Sequence, residues 1–130
     1  MGIDWGSEYT LGIEPFDGQH GAMMGIIARL ARAAAAPEGK SAWLPLVDEL
    51  IQAAETHFSA EEAELEKRGY PELIEHGDEH RNLLNEVREI RARIASGESV
   101  LNAEMADFLA NWMAVHVKET DMPYRRLFGK

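Results

Sequence analysis

The sequence predicts an all-α fold, an antiparallel up-down-up-down bundle of four helices with an N-terminal arm. Three short stretches of turn residues, at 37–40, 68–71 and 96–99, divide the 130 residues into long segments. Between these turns the apolar residues recur at steps of three and four, which is the spacing of one helix face. No apolar run approaches the roughly 20 residues that cross a bilayer, so a membrane protein is not expected.

The first helix is predicted near residues 18–36, and the second over about 42–67. Ser41 is the expected N-cap of the second helix, and Pro45 is tolerated because it falls in the first turn. The inward-facing residues of the first helix are Phe16, His20, Met23, Ile27, Leu30 and Ala34, and those of the second are Leu46, Leu50, Ala54, His57, Glu61 and Leu65.

The third helix is predicted to begin at Pro71, since proline suits the first helical position. The fourth is predicted to follow Ser99 and to end at Pro123. We find no repeat, linker or low-complexity segment, so residues 1–130 are expected to form one domain. The inward-facing residues of the third helix are Leu73, His76, His80, Leu83, Val87, Ile90 and Ile94, and those of the fourth are Leu101, Met105, Phe108, Trp112, Met113 and His116.

The composition excludes several classes of protein. The chain has 13 basic and 23 acidic residues and a net charge of −10, so a nucleic acid is not an expected partner. It has no cysteine, which excludes disulfides, thiolate-bound zinc and iron–sulfur clusters. Because residues 1–5 lack the basic start and apolar stretch of a signal peptide, a cytoplasmic location is expected. The charged outer faces of the helices favour a monomer.

All five histidines fall on predicted inward-facing positions. A single histidine there is usually a hydrogen-bonded core residue, but burying five imidazoles and Glu61 without a partner costs about 2–7 kcal/mol for each group. The acidic residues that follow Glu61 are interpreted as a solvated helix face. In an antiparallel bundle the start of the first and third helices and the end of the second and fourth lie together. That end therefore gathers His20, His57, Glu61, His76, His80, His116 and Asp121.

The spacing of these residues suits a shared metal site. Two pairs are four residues apart, which places their members about 6 Å apart on one helix face: His57 with Glu61, and His76 with His80. His116 and Asp121 are five apart, which is about 140° of rotation on a regular helix. Asp121 can therefore reach the site only if the last turn loosens or ends, which Pro123 would allow.

Counting the donors predicts a site with one open position. If each of two metal ions takes six ligands, five imidazoles, two bridging carboxylates and one oxo or hydroxo bridge fill eleven of the twelve positions. An open position is typical of a site that binds or activates a molecule. Imidazole-rich, oxygen-bridged coordination suits iron, while zinc and manganese remain alternatives by ligand type. Two separate mononuclear sites would leave each carboxylate poorly placed.

Several stretches of the sequence resemble the hemerythrin family, over nearly the whole chain. They are Asp17 to His20, His57 to Glu62, Tyr70-Pro71 followed by His76 to His80, and Trp112 to His116 leading to Asp121 and Tyr124. The resemblance implies that His76, His80 and His116 bind one iron, which is six-coordinate. It also implies that His20 and His57 bind the other iron, which is five-coordinate and open to O2, and that Glu61 and Asp121 bridge the two. The length is similar to that of single-domain bacterial members.

The resemblance implies a protein, not an enzyme, that binds O2 reversibly for storage, delivery or buffering. Neutral imidazoles bring less negative charge to iron than carboxylates do, which also favours the ferrous state and reversible binding. Met23, Phe58, Trp112 and Met113 are predicted to line the O2 pocket, although both methionines also suit ordinary core packing. The alternatives are a di-iron peroxidase, oxidase or nitric oxide reductase, and an O2 or redox sensor that acts through a separate partner.

Overall fold

The computed structural model describes residues 9–129, which form four α-helices packed as an antiparallel bundle. Helix α1 spans Phe16–Ala33, α2 spans Lys40–Lys67, α3 spans Leu73–Ser96 and α4 spans Ala103–His116. The chain then continues through a π-helical turn, Val117–Asp121, into a 3-10 helix, Met122–Phe128. The predicted all-α four-helix class is confirmed. Within the described range, none of the helices combines the length and the apolar character needed to cross a membrane.

The start of α2 differs from the prediction. Helix α2 begins at Lys40, and its N-cap is Gly39, whose φ of 61° favours glycine. The prediction of Ser41 as the N-cap is therefore wrong. The Ser41 hydroxyl instead donates to the carbonyl of Glu38 at 2.9 Å, one turn back along the chain.

The ends of α3 and α4 also differ from the prediction. Helix α3 begins at Leu73 rather than Pro71. Helix α4 begins after Asn102, whose side chain accepts the backbone N–H of Met105 at 2.9 Å, a side-chain cap that the sequence analysis assigned to no residue. The α-helix ends at His116 and not at Pro123, which lies within the 3-10 helix.

The predicted inward-facing residues are buried or half-buried, with one exception in α4. Phe108 is 49% exposed, so its predicted inward orientation is wrong. Its neighbours Leu109 and Ala110 are buried instead. Helix α4 is apolar on most of its circumference, so the three-and-four spacing fits two stripes about 100° apart. The other predicted positions are buried or half-buried, so the packing keeps most of the predicted stripe and leaves Phe108 outside it.

The N-terminal arm is tied to the end of the bundle that contains the histidines. The Asp17 carboxylate accepts the backbone N–H groups of Leu11, Gly12 and Ile13 at 2.8, 2.9 and 3.2 Å. From the other side, the Nε of Arg125 in the 3-10 helix donates to the carbonyl of Leu11 at 2.9 Å. Leu11 is fully buried. The arm and the 3-10 helix together cover this end of the bundle.

Candidate metal centre

The seven predicted ligands meet at one end of the bundle, and every helix contributes. Each side chain is 3% exposed or less, although all seven are polar or charged. Burying this many polar groups is costly unless they satisfy one another or a common partner. The contributions are His20 from α1, His57 and Glu61 from α2, His76 and His80 from α3, His116 from α4 and Asp121 from the π-helical turn.

The π-helical turn brings Asp121 to the site. In such a turn the hydrogen bonds run from residue i to residue i+5, so each turn holds more residues than an α-helical turn. Residues five apart are then aligned along the helix. The Oδ1 atom of Asp121 lies 3.2 Å from the Nε2 atom of His116. The expectation that the last turn loosens before Asp121 is confirmed.

The carboxylates of Glu61 and Asp121 each direct one oxygen toward the imidazoles of His76, His80 and His116, which we call the three-histidine set. Oε1 of Glu61 lies 2.6 Å from Nε2 of His76 and 3.0 Å from Nε2 of His80. Oδ1 of Asp121 lies 3.3 Å from Nε2 of His76 and 3.2 Å from Nε2 of His116. These donor atoms all lie within 4.8 Å of one another.

The other oxygen of each carboxylate is directed toward His20 and His57, the two-histidine set. Oε2 of Glu61 lies 3.2 Å from Nε2 of His57 and 4.0 Å from Nε2 of His20. Oδ2 of Asp121 lies 3.2 Å from Nε2 of His20. This geometry suits two cations that share both carboxylates. It does not suit two independent mononuclear sites, because neither set of imidazoles has a carboxylate to itself.

Several buried polar atoms at the centre lack a partner. Among the described residues, Nε2 of His57, His80 and His116 and both oxygens of Asp121 make no hydrogen bond. Leaving such groups unpaired costs about 1–3 kcal/mol each. These are the atoms that would face a pair of cations, and imidazole nitrogen with carboxylate oxygen is a donor set that suits first-row metals. The residues therefore fit two metal ions.

The centre also holds its carboxylates ionised. Burial raises the pKa of Glu61, but the neighbouring imidazoles of His57, His76 and His80 lower it more, so it lies well below its usual value. The pKa of Asp121 is lowered in the same way, against burial and the nearby charge of Glu61. Two buried negative charges surrounded by imidazoles make the site attractive to cations.

Two further side chains orient the imidazoles from outside. Oε1 of Gln19 lies 2.5 Å from Nδ1 of His57, and Oε2 of Glu62 lies 2.8 Å from Nδ1 of His80. Because these oxygens can only accept, each Nδ1 carries the hydrogen and each Nε2 lone pair is directed to the centre. Glu62 is one-third exposed, so it borders solvent as the helix-face interpretation expects, but its contact with His80 was not predicted.

Tyr124 supports the shared carboxylate from the 3-10 helix. Its hydroxyl donates to Oε2 of Glu61 at 2.8 Å, and its ring is fully buried. Burial, followed by the charge of Glu61, raises the pKa of Tyr124, so the phenol stays protonated and remains a donor. No role was predicted for Tyr124, although its position three residues after Asp121 was a usable signal.

The predicted O2-pocket residues are all buried. Met23 and Met113 are 0% exposed, Phe58 2% and Trp112 7%. Phe58 stacks on His80 with ring centroids 3.9 Å apart and planes within 6° of parallel. An apolar ring thus lies directly against one candidate ligand. The pocket role of these four residues stays a prediction.

Comparison with known proteins points to one family. The family model described as the hemerythrin HHE cation binding domain matches residues 11–127. A bacteriohemerythrin of Ralstonia nicotianae is 32% identical, with 92% of this chain and 83% of that protein covered. A bacteriohemerythrin of Methylococcus capsulatus is 26% identical, with 91% and 89% covered.

The fold comparison agrees. A crystal structure of wild-type hemerythrin has a TM-score of 0.90 against this chain, with both chains covered in full at 24% identity. At that identity the likeness supports the fold alone. The family model spans almost all of the described residues, and the relatives are covered over most of their length. The chain therefore belongs to the hemerythrin family.

Proposed function

We propose that this protein binds O2 reversibly at a di-iron centre. The family binds a di-iron centre, and this chain has a buried donor set that suits one. The observation that carries the proposal is the division of the Glu61 and Asp121 oxygens between two sets of imidazoles. A shared pair of carboxylates can hold two cations next to each other.

In this proposal the two irons have unequal numbers of protein ligands. The three-histidine set would hold one iron and the two-histidine set the other, with Glu61 and Asp121 available to both. Because the two-histidine set supplies one imidazole fewer, that side would have room for O2. When bound, the two ferrous ions supply the two electrons that reversible O2 binding uses.

The surroundings of the two-histidine set include a surface groove and an apolar interior. A groove between α1 and α2 reaches His57 and is lined in part by Gln19, Ala22, Ala53 and Thr56. The rest of its wall includes Ile26, Glu49 and Gln52, so the groove is partly polar, and it reaches His57 on the side where Gln19 contacts Nδ1. Phe58 lies 5.7 Å from His57, ring centroid to ring centroid, on the interior side. We propose that Phe58, with Met23, Trp112 and Met113, keeps water and protons from the bound O2.

The proposal is tested by following the visible absorption of protein loaded anaerobically with ferrous iron. We expect two irons per chain, a new absorption band on exposure to air, and loss of that band when O2 is removed, over repeated cycles. Zinc-loaded protein is the control and should show no band. One metal ion per chain would contradict the proposal. A band that decays within one turnover while a co-substrate is consumed would show a di-iron enzyme instead.

A further inference from the structure

The two sets of imidazoles have different partners on their outer side. In the three-histidine set, the Nδ1–H of His80 is donated to the carboxylate of Glu62 at 2.8 Å. In the two-histidine set, the Nδ1–H of His57 is donated to the amide oxygen of Gln19 at 2.5 Å. One acceptor is charged and the other is neutral. Hydrogen bonds to an ionised acceptor are roughly twice as strong as those between neutral groups.

A glycine in α3 leaves the space through which Glu62 approaches His80. Gly77 is buried, and a Cβ atom there would lie 3.1 Å from Oε1 of Glu62 and 3.5 Å from Nη1 of Arg81. The first distance is tighter than ordinary van der Waals contact, so the carboxylate would have to move. The φ of Gly77 is not positive, so its backbone does not require glycine. The close approach of Glu62 favours glycine, because an added Cβ would displace the carboxylate by a few tenths of an ångström.

Two helical glycines of α1, Gly21 and Gly25, lack this feature. A Cβ at Gly21 or Gly25 in α1 would meet no atom within 4 Å. Glycine is among the poorest helix formers, so alanine would favour the helix at all three positions. Gly77 differs because the space above it is occupied by a side chain that contacts a candidate ligand. This contrast supplies a matched control within the same protein.

We propose that Gly77 and Glu62 form a positioning pair that makes the two metal positions electronically unequal. The inference rests on the proposed function for the assignment of the ligands. A carboxylate that accepts Nδ1–H leaves more negative charge on the ring, so Nε2 of His80 becomes a stronger donor. The amide of Gln19 does this less for His57. The metal held by the three-histidine set is therefore bound more tightly and is the easier of the two to oxidise.

The test measures two properties of three variants. Stepwise Co2+ binding to metal-free protein gives the two affinities, and spectroelectrochemistry of iron-loaded protein gives the reduction potential. We expect Glu62→Gln to weaken the tighter Co2+ step by about 10–100-fold and to raise the reduction potential. Gly77→Ala should shift the Co2+ affinity and the reduction potential in the same directions as Glu62→Gln, but by smaller amounts. Its helix should become more resistant to heat. Gly25→Ala should gain thermal resistance with both properties unchanged.

A reciprocal variant tests the other set. Gln19→Glu places a carboxylate on His57 and should tighten the weaker Co2+ step, which brings the two affinities closer. Unchanged affinities and potential in Glu62→Gln would overturn the inference, and unchanged values in Gly77→Ala would overturn the part assigned to Gly77. Wild-type protein that binds fewer than two metal ions would refute the proposed function itself. If the protein binds two ions but the two Co2+ affinities are equal in every variant, this inference alone is refuted.

Discussion

At the end of the bundle away from the histidines, Leu30, Val47 and Ile94 lie in the apolar core, and each is 1% exposed or less. At the other end, side chains such as Glu61 and Asp121 are equally buried but ionised. The same helices form both ends. The apolar end gains free energy from burial alone, about 1.5–3 kcal/mol for a large aliphatic side chain. The histidine end loses free energy from burial unless each polar atom has a partner.

This difference implies that the apolar residues stabilise the fold and that the buried polar residues bind the metal. Substitutions at the apolar end should lower stability and leave metal content unchanged. Substitutions of the buried polar groups should remove metal while the four helices persist. Each experiment below tests one side of this separation.

The largest expected effect is on metal content. Glu61→Ala removes the carboxylate that directs one oxygen to each set, so metal analysis should fall from two ions per chain to none. Glu66, exposed on the same helix, provides the control: Glu66→Ala should retain two ions. A Glu61→Ala protein that still carries two ions would show that Asp121 suffices as a bridge, and the separation would fail.

The next effect is on stability. Leu30→Ala leaves a cavity in the apolar end and should reduce the free energy of unfolding by about 2–5 kcal/mol, measured by urea denaturation. Its iron content should remain two per chain. Arg32→Ala, at an exposed position of the same helix, should change stability by no more than about 0.5 kcal/mol. Loss of iron from Leu30→Ala would show that the two ends are not independent.

The smallest effect concerns Met113, which lies three residues before His116, where the two ends meet. Met113→Leu nearly conserves volume, so it should cost less than about 1.5 kcal/mol. Met113→Ala creates a cavity beside the centre and should speed autoxidation in air, because water then reaches bound O2 more easily. Autoxidation rates of both variants separate the two roles. Loss of stability in Met113→Ala at the wild-type autoxidation rate would identify Met113 as core only.

The helices and the convergence of polar residues were predictable because they depend on spacing along one chain segment. The three-and-four spacing places His57 and Glu61 on one face wherever the helix lies. The antiparallel order of the helices then brings together residues distant in sequence. Phe108 shows the limit of this argument. Where a helix is apolar on most sides, spacing alone does not select the buried face, and packing against α1 decides it.

The outer partners of the imidazoles were not predictable for a different reason. Glu62 and His80 lie on different helices, and their contact depends on how closely α2 approaches α3. The position of the Glu62 carboxylate depends in turn on Gly77, whose role is visible only once an added Cβ is placed against Glu62. The contact of Gln19 with His57 likewise depends on the distance between two helices. The spacing of residues along one helix does not predict the distance between two helices.

The π-helical turn has a consequence for how related proteins are compared. His57 and Glu61 are four residues apart on an α-helix, His116 and Asp121 are five apart on the π turn, and the nitrogen–oxygen distance is 3.2 Å in both pairs. The turn accommodates one extra residue, as an insertion in an α-helix would. Residues after it therefore face the bundle as they would without the extra residue. A search pattern with a fixed spacing of four would reject this pair. Alignments of such sites should accept either spacing at the end of the last helix.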